Sequence, residues 1–362
     1  MKAICIGYEG AEAVLKREIK ERIDVSAKTE PSIALLDADE KQLQKLAFSG
    51  QSFSHILFLL GSGKIKSLED LEKIKLDKKI LEKYLKNKTF RADCVRLGEH
   101  GFNSQDVGAK LGEIILDNAE CKVNLQKPDV KILCYILNEN CYIGIDFVGF
   151  ELDKRYYKVY TSAVSIKATF GFNLLMLGDY KKNQIFLDPF CDCGTIPIEA
   201  AYYSSGIPVH RMQKEKFKFK VEEKQEIKSK NKSGKTIMIF AFDPQVRNVT
   251  ACRHNSNIGQ VDNFIELSKV TTDWLDLKFE QDQVDLVATV VPQPSKLTLK
   301  QVTKTYKELF PKLEIILKKG GTFITVGNKL LEDTGSSSKL KLEKKIKIRK
   351  GQQILELFKY RK

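Results

Sequence analysis

The chain has 362 residues, 42% of them hydrophobic, and a formal net charge of +14 that comes mainly from lysine. This length favours two or three domains, and the charge favours an anionic partner, with nucleic acid ahead of a membrane surface. No uncharged apolar run reaches about 18 residues, and the first residues lack a long apolar segment, so we expect no membrane span, no signal peptide and a cytoplasmic protein.

The eight cysteines show no spacing typical of a metal site. Cys191 and Cys193 are separated by one residue, which suits neither a zinc knuckle nor a redox pair. With only four histidines in the chain, we predict reduced, buried thiols and no structural metal. The surplus of lysines has an alternative explanation, a solvated surface without a specific partner.

The first 62 residues predict a small α+β domain without a catalytic constellation. Apolar runs at 1–7, 31–37 and 52–60 predict strands, and the segments between them predict helices. From 65 to 85 the pattern is charged and has an apolar stripe at helical spacing, which predicts a further helix.

A polar cluster follows at residues 90–117, where a strand is predicted to lead into a helix that begins near Gln105. The cluster consists of Arg91, Arg96, His100, Asn103 and Ser104. A helix N-terminus offers free N–H groups and the positive end of its dipole, so this region suits a phosphate. The alternative is that Ser104 only caps its helix and the arginines are solvated.

Two more strands are predicted at about 130–137 and 141–147, and a basic, aromatic segment follows them. This segment contains Lys154, Arg155 and Lys158 beside two tyrosines. Basic and aromatic residues in alternation suit a single-stranded nucleic acid, and an ordinary linker between domains is the alternative. An amphipathic helix is predicted from 161 to 177.

The stretch from Leu187 to Ala201 reads LDPFCDCGTIPIEAA. It predicts a strand that ends at Asp188, a tight turn containing Gly194, and a helix. Open α/β sheets bind adenosine cofactors at such a turn, although an ordinary strand-to-helix turn has the same appearance. The segment 211–235 is rich in lysine and predicts either a mobile basic loop near RNA or a solvated insertion.

The remainder continues the α/β alternation. A strand at 236–242 ends at Asp243, and a carboxylate there suits the two hydroxyl groups of a ribose. Helices are predicted at 246–258 and 299–318, and strands at 265–269, 284–291 and 322–327. The lysine-rich alternation after residue 339 predicts an antiparallel hairpin with Gly351 near its turn.

Several of these stretches together resemble the THUMP-domain tRNA guanine-N2 methyltransferases of archaea and bacteria. They are FRADCVRLGEHGFNS, KVNLQKPDVKI, YIGIDFVGFELDKRYYKVY, LDPFCDCGTIPIEAAYYSSGIP and FAFDPQVRNVTACRHNSNIG. The resemblance implies a ferredoxin-like domain at 1–62, a THUMP domain at 63–150, a linker at 151–165 and a Rossmann-fold methyltransferase domain at 166–362. That last domain would have a mostly parallel seven-stranded sheet with an antiparallel C-terminal hairpin.

The resemblance also implies S-adenosyl-L-methionine as cofactor and tRNA as partner, with no membrane and a monomeric protein. The resemblance assigns contact with tRNA to the THUMP and ferredoxin-like domains. The residues implied for this contact are those of the polar cluster and of the basic, aromatic segment: Arg91, Arg96, His100, Asn103, Ser104, Lys154, Arg155 and Lys158. The residues implied for the cofactor are Asp188, Phe190, Asp192, Gly194, Thr195, Asp243 and Asp273.

Two positions depart from the family pattern. The family cofactor loop has glycine where this chain has Asp192, which predicts a turn that survives, because aspartate tolerates positive φ, and weakened cofactor binding. The family has Asn-Pro-Pro-Tyr after the fourth strand, where this chain has Val290, Val291, Pro292 and Gln293. In the family the asparagine accepts hydrogen bonds from the target amine and the tyrosine stacks on the base, so both groups are replaced.

Two hypotheses follow for function. The first is an active tRNA (guanine-N2) methyltransferase with an altered target pocket, in which Gln293 or a backbone carbonyl at Val290 or Val291 accepts the amine hydrogens. The second is an inactive relative that binds tRNA or supports an active partner. The THUMP-like stretch argues against a small-molecule methyltransferase.

Overall fold

The computed structural model describes residues 1–220 and 238–362, which contain two β-sheets with helices packed against them. No helix in this described part is long and apolar enough to cross a membrane. Of the predicted basic loop, residues 211–216 form a 3-10 helix, and residues 221–235 lie outside the described ranges.

The first sheet has eight strands in the order β2-β3-β1-β4-β8-β7-β5-β6. Their bounds are β1 (Lys2–Ile6), β2 (Ala27–Glu30), β3 (Ile33–Asp37), β4 (His55–Lys64), β5 (Lys88–Leu97), β6 (Cys121–Val123), β7 (Val130–Leu137) and β8 (Asn140–Asp146). One core lies between this sheet and the helices α1 (Glu12–Ile23), α2 (Glu40–Ser49), α3 (Lys78–Leu85) and α4 (Ser104–Leu116). Strand β4 pairs with β1 on one side and β8 on the other, so it runs through the boundary predicted at residue 62.

The single helix predicted at 65–85 is wrong. The segment contains a 3-10 helix at Glu69–Lys73 and then α3, with an extended stretch between them. In that stretch the Asp77 N–H donates to the Leu60 carbonyl at 2.8 Å, and the Asp77 side chain caps α3. A tertiary contact with β4 therefore breaks the helix that the apolar spacing favours.

The second sheet has seven strands in the order β11-β10-β9-β12-β13-β15-β14. Their bounds are β9 (Phe186–Asp188), β10 (Ile239–Asp243), β11 (Ile265–Lys269), β12 (Val284–Thr289), β13 (Leu317–Val326), β14 (Lys341–Lys350) and β15 (Gln353–Arg361). The first five are parallel and the last two form an antiparallel hairpin, as predicted. All five parallel strands therefore present their carboxyl ends at one edge of the sheet.

Helices cover both faces of the second sheet and form a core on each. They are α5 (Ala168–Leu177), α6 (Thr195–Ser205), α7 (Val246–Gly259), α8 (Leu299–Ile316) and α9 (Lys329–Gly335). The helix predicted from 161 begins only at Ala168, because residues 162–165 form their own turn, in which the Ser162 N–H donates to Ser165 Oγ at 2.8 Å. Residues 168–176 of α5 are all buried, so this helix is not amphipathic.

A buried polar cluster joins the two sheets. Arg155 forms an ion pair with Glu199 of α6 at 3.0 Å, and both side chains are fully buried. Glu199 also accepts hydrogen bonds from Tyr157 at 2.9 Å and from the Gln51 side chain at 2.8 Å. Because Gln51 precedes β4 and Glu199 lies on α6, this cluster fixes the first sheet against the second.

Candidate functional site

The candidate site lies at the carboxyl edge of the second sheet, in the turn between β9 and α6. Gly194 has a φ of 85°, and a Cβ added there would lie 2.4 Å from the Cys252 sulfur. Only glycine fits this position, because a side chain is strained at that φ and has no space. Thr195 then begins α6, and Phe190 and Thr195 are both buried beneath the turn.

Asp192 occupies the position where the resembling family has glycine. Its φ is 48°, so the turn keeps its left-handed residue without glycine. Its side chain accepts a hydrogen bond from Ser165 Oγ at 2.9 Å. The carboxylate is therefore directed toward Ser165, in the segment that precedes α5.

Lys158 is half-buried, and the charge of Asp192 acts on its ammonium group. Burial lowers its pKa, while the charges of Cys193 and Asp192 act in the opposite direction. Its Nζ donates to the Ile166 carbonyl. Lys158 is thus partly withdrawn from solvent, and its contact with RNA stays a prediction.

Asp243 ends β10 and lies directly beside the turn. One carboxylate oxygen accepts the Asp192 N–H at 3.1 Å, and the other accepts the Gln245 N–H at 2.8 Å and the Asn248 side chain at 3.0 Å. Burial raises the pKa of Asp243. The carboxylate is thus fixed in orientation at the strand end, where a ribose would be recognised.

Asp188 is fully buried below the turn. Its Oδ1 accepts hydrogen bonds from Thr289 Oγ1 at 2.6 Å and from the Phe190 N–H at 3.2 Å. Its Oδ2 has no partner among the described residues. Burial raises the pKa of Asp188 to about 8. A buried oxygen without a partner at this edge indicates a position where a ligand can complete the hydrogen bonding.

The raised pKa of Asp188 predicts a pH dependence of stability. Its carboxyl group titrates near 4 in the unfolded chain and near 8 in the folded one, so its stabilising contribution is complete below about pH 4 and is lost as pH rises through about 8. Urea unfolding at pH 5, 6.5 and 8 measures this. Relative to the unsubstituted protein, we expect the free energy of unfolding of Asp188→Asn to rise by up to about 1.4 kcal/mol for each pH unit. Parallel pH profiles would contradict this, and the exposed Asp37→Asn is the control.

Asp273 lies apart from these three acids. It is exposed on the 3-10 helix Thr272–Leu277, which follows β11 at the same edge of the sheet. A hydrogen bond with the Thr271 side chain lowers its pKa. The exposed indole of Trp274 is next to it. The structure therefore brings Asp188, Asp192 and Asp243 together and leaves Asp273 at the rim.

The segment after β12 contains the second position at which this chain departs from the family pattern, residues 290–293. Val291 is buried and its N–H donates to Thr325 Oγ1 at 3.2 Å, while Val290 is half-buried and Pro292 is exposed. The Gln293 side-chain NH₂ donates to the carbonyls of Val291 at 3.0 Å and Val326 at 3.3 Å. Gln293 is therefore held against the end of β13 and does not move freely in solvent.

The predicted RNA-binding residues do not form one surface. Along β5 the side chains alternate, so Arg91 faces a cleft of about 540 Å³ that Lys154 and Arg349 also line. Arg96 lies on the opposite face, where its guanidinium contacts His100 at 3.3 Å and the Phe102 ring. The sequence placed both arginines at one strand end, and the strand's alternation separates them.

Three further RNA candidates have structural roles. Asn103 caps α4, accepting from the N–H groups of Gln105 at 2.8 Å and Asp106 at 2.9 Å, and Ser104 is the first residue of that helix. Arg155 is 5% exposed and paired with Glu199, so the prediction that it contacts RNA is wrong. A buried guanidinium needs a carboxylate partner inside the protein, and the sequence could not show that Glu199 supplies it.

Several site residues were missed by sequence reasoning: Ser165, Thr289, Tyr306 and Asn328. Thr289 ends β12 and Asn328 follows β13, so the rule that polar residues at strand ends line the site could have found them. Ser165 and Tyr306 reach the site only through tertiary contacts. All eight cysteines are free thiols, and within the described ranges no three potential ligands are placed to hold a metal ion.

Comparison with known proteins matches the RMKL-like methyltransferase domain over residues 155–354 and the THUMP domain over residues 66–146. The chain is 26% identical over 339 residues to a tRNA (guanine(6)-N2)-methyltransferase of Methanocaldococcus jannaschii, covering 88% of each chain. It is similar in fold to TrmN of Thermus thermophilus, with a TM-score of 0.71, 19% identity and coverage of 100% of this chain and 99% of that one. It also resembles a methyltransferase solved in complex with SAH, with a TM-score of 0.74, 18% identity and coverage of 99% and 97%.

Proposed function

The chain belongs to the family of the RMKL-like methyltransferase domain, and from this premise we propose that it methylates the exocyclic N2 of a guanosine in tRNA with S-adenosylmethionine. The observation that carries the proposal is the convergence of Asp188, the turn at Gly194 and Asp243 at one edge of the sheet. The THUMP domain and the relative named a tRNA (guanine(6)-N2)-methyltransferase support tRNA as the substrate.

The residues at this edge fit the cofactor. Gly194 supplies the left-handed conformation that the turn needs, and Oδ2 of Asp188 has no hydrogen-bond partner among the described residues. Asp243 would hold the ribose and Asp273 the adenine amine, while Phe190, Thr195 and the backbone of Asp192 complete the turn. When bound, the cofactor supplies an electrophilic methyl group on a sulfonium, and the protein has to position the target amine in line with it.

The target amine needs an acceptor for its hydrogens, because it becomes positively charged as it is methylated. In this chain that acceptor lies in the segment Val290–Gln293, where the carbonyls and the Gln293 side chain are the available groups. The alternative, a protein that binds tRNA without transferring methyl groups, rests on the altered residues of this segment and on Asp192 in the cofactor loop. The similarity to a tRNA methyltransferase over 88% of both chains favours the active enzyme.

The test is incorporation of labelled methyl groups from S-adenosylmethionine into bulk tRNA, followed by nucleoside analysis for N2-methylguanosine. Cofactor binding is measured separately by calorimetry. Binding with incorporation supports the proposal, whereas binding without incorporation supports the alternative. We propose further that the protein acts on tRNA as a monomer in the cytoplasm, which gel filtration with and without tRNA would check.

We expect tRNA binding to depend on the exposed cations near the cleft. Arg91 and Lys154 line it, and the ammonium of Lys154 is well exposed. Replacing both by alanine should weaken affinity at low salt. It should also make the plot of log affinity against log salt concentration less steep, by about 0.7 to 0.9 for each phosphate that the variant no longer neutralises. Filter binding across a salt series measures this.

Lys20→Ala is the matched control for these two substitutions. Its ammonium is exposed and pairs with Asp24 on α1, on the sheet face opposite the cleft. We expect its salt slope to equal that of the unsubstituted protein. An unchanged slope in the Arg91→Ala/Lys154→Ala variant would contradict the assignment of the cleft as a tRNA surface.

A further inference from the structure

The exposed amide of Gln293 has a fixed orientation. Both hydrogens of its NH₂ group are directed at backbone carbonyls, those of Val291 and Val326. Its Oε1 accepts a hydrogen bond from the Asn328 side-chain NH₂ at 3.0 Å. Turning the amide over would place its oxygen against two carbonyl oxygens and its NH₂ against another NH₂, so none of the three hydrogen bonds would survive.

Asn328 is fixed in turn by its own partners. Its Oδ1 accepts the Leu331 N–H at 2.9 Å at the start of α9, so its NH₂ must face the opposite way. That NH₂ donates to Gln293 and to Tyr306 Oη, the latter at 2.9 Å. Tyr306 is buried on α8 and donates its hydroxyl hydrogen to the Pro292 carbonyl at 2.5 Å.

Counting donors and acceptors shows where this network is incomplete. Asn328 uses both hydrogens and its oxygen, and the Gln293 NH₂ uses both hydrogens. The Gln293 Oε1 accepts one hydrogen bond from the described residues and has a second lone pair. Gln293 itself is exposed at the edge of the sheet where the target base must enter.

We propose that Asn328 and Tyr306 are positioning residues that hold Gln293 Oε1 as the acceptor for the target amine of the base. The inference rests on the proposed function, because it names the residues that replace the family's asparagine in the same reaction. Tyr306 and Asn328 act through Gln293 and do not touch the base. The arrangement provides a pre-oriented acceptor, which contributes to rate without a cost of reorganisation.

The test uses Asn328→Asp in the full chain. Aspartate keeps the oxygen that caps α9 and has the same shape, but it presents a carboxylate oxygen where Gln293 needs a donor. We expect kcat for tRNA methylation to fall about 100-fold, with the calorimetric affinity for S-adenosylmethionine unchanged. Tyr306→Phe should lower kcat in the same direction, because Asn328 and the Pro292 carbonyl both lose a partner.

A second measurement separates positioning from a general structural effect. In a Val290→Asn background, which supplies the family's own acceptor, Asn328→Asp should cost less than tenfold in kcat. Lys329→Gln is the control, since Lys329 is exposed on the same helix and pairs only with Asp333 among the described residues. The kcat of Lys329→Gln should equal that of the unsubstituted protein. Thermal unfolding of every variant is compared, so that a loss of stability is recognised.

The outcomes distinguish this inference from the proposed function. If the unsubstituted protein methylates tRNA and Asn328→Asp leaves kcat unchanged, the positioning role is wrong and the function stands. An equal loss of activity with and without Val290→Asn also overturns it. If the unsubstituted protein transfers no methyl group to tRNA, the proposed function fails and the inference fails with it.

Discussion

Val290→Asn is expected to raise kcat for tRNA methylation by about 100-fold in the Asn328→Asp background, and by less than about tenfold in the unsubstituted protein, where Gln293 Oε1 already serves as the acceptor. Val290 stands where the resembling family has the asparagine that accepts the hydrogens of the target amine, and valine has no acceptor. One well-placed polar group at a developing charge is typically worth about 100- to 1000-fold in rate. Val290 is half-buried and follows β12 directly, so an asparagine there replaces a side chain of similar size at the strand end.

The measurement is single-turnover methyl transfer to bulk tRNA with saturating cofactor. Val290→Leu is the matched control, because leucine has nearly the shape of asparagine and no acceptor. We expect the leucine variant to remain at the level of the unsubstituted protein or below it. Equal rates for the asparagine and leucine variants in the Asn328→Asp background would show that an acceptor at position 290 does not reach the target amine.

Arg155→Met is expected to lower the free energy of unfolding by about 3–5 kcal/mol. The substitution leaves Glu199 as a fully buried carboxylate without its cation, and removing one partner of a buried ion pair costs about that much. The guanidinium also donates to the Gln51 carbonyl at 2.9 Å and to the Leu152 carbonyl, so two further acceptors lose their donor. Burial lowers the pKa of the neighbouring His210 to about 3, so this imidazole is neutral and offers no replacement charge.

Urea unfolding at neutral pH measures this effect, with Arg17→Met as control. Arg17 pairs with Glu21 on the surface, where both side chains are more than a third exposed, and its loss should cost about 1 kcal/mol or less. The double variant Arg155→Met/Glu199→Leu should recover part of the loss, because it removes the uncompensated charge. A double variant less stable than Arg155→Met alone would contradict this explanation.

The sequence predicted the architecture of the second sheet well, because local patterns fix it. Alternation of apolar strands and helices predicted an α/β fold, the family resemblance implied a mostly parallel sheet, and the lysine-rich alternation after residue 339 predicted the β14–β15 hairpin. The acids Asp188 and Asp243 were located because polar residues at the ends of parallel strands meet at one edge. The positive φ tolerated by aspartate likewise predicted the turn at Asp192, which has a φ of 48°.

The tertiary structure alone decided which residues far apart in the chain come into contact. Arg155 belongs to a segment with the composition of an RNA-binding site, yet Glu199 holds its guanidinium inside the protein. The orientation of Gln293 depends on Asn328 and Tyr306, which lie 35 and 13 residues away along the chain. Spacing along one chain carries no information about such partners, because burial and hydrogen bonding are set by which elements pack together. The sequence by itself therefore determined the fold and the edge at which the site lies, and only packing decided which polar groups remain free to act there.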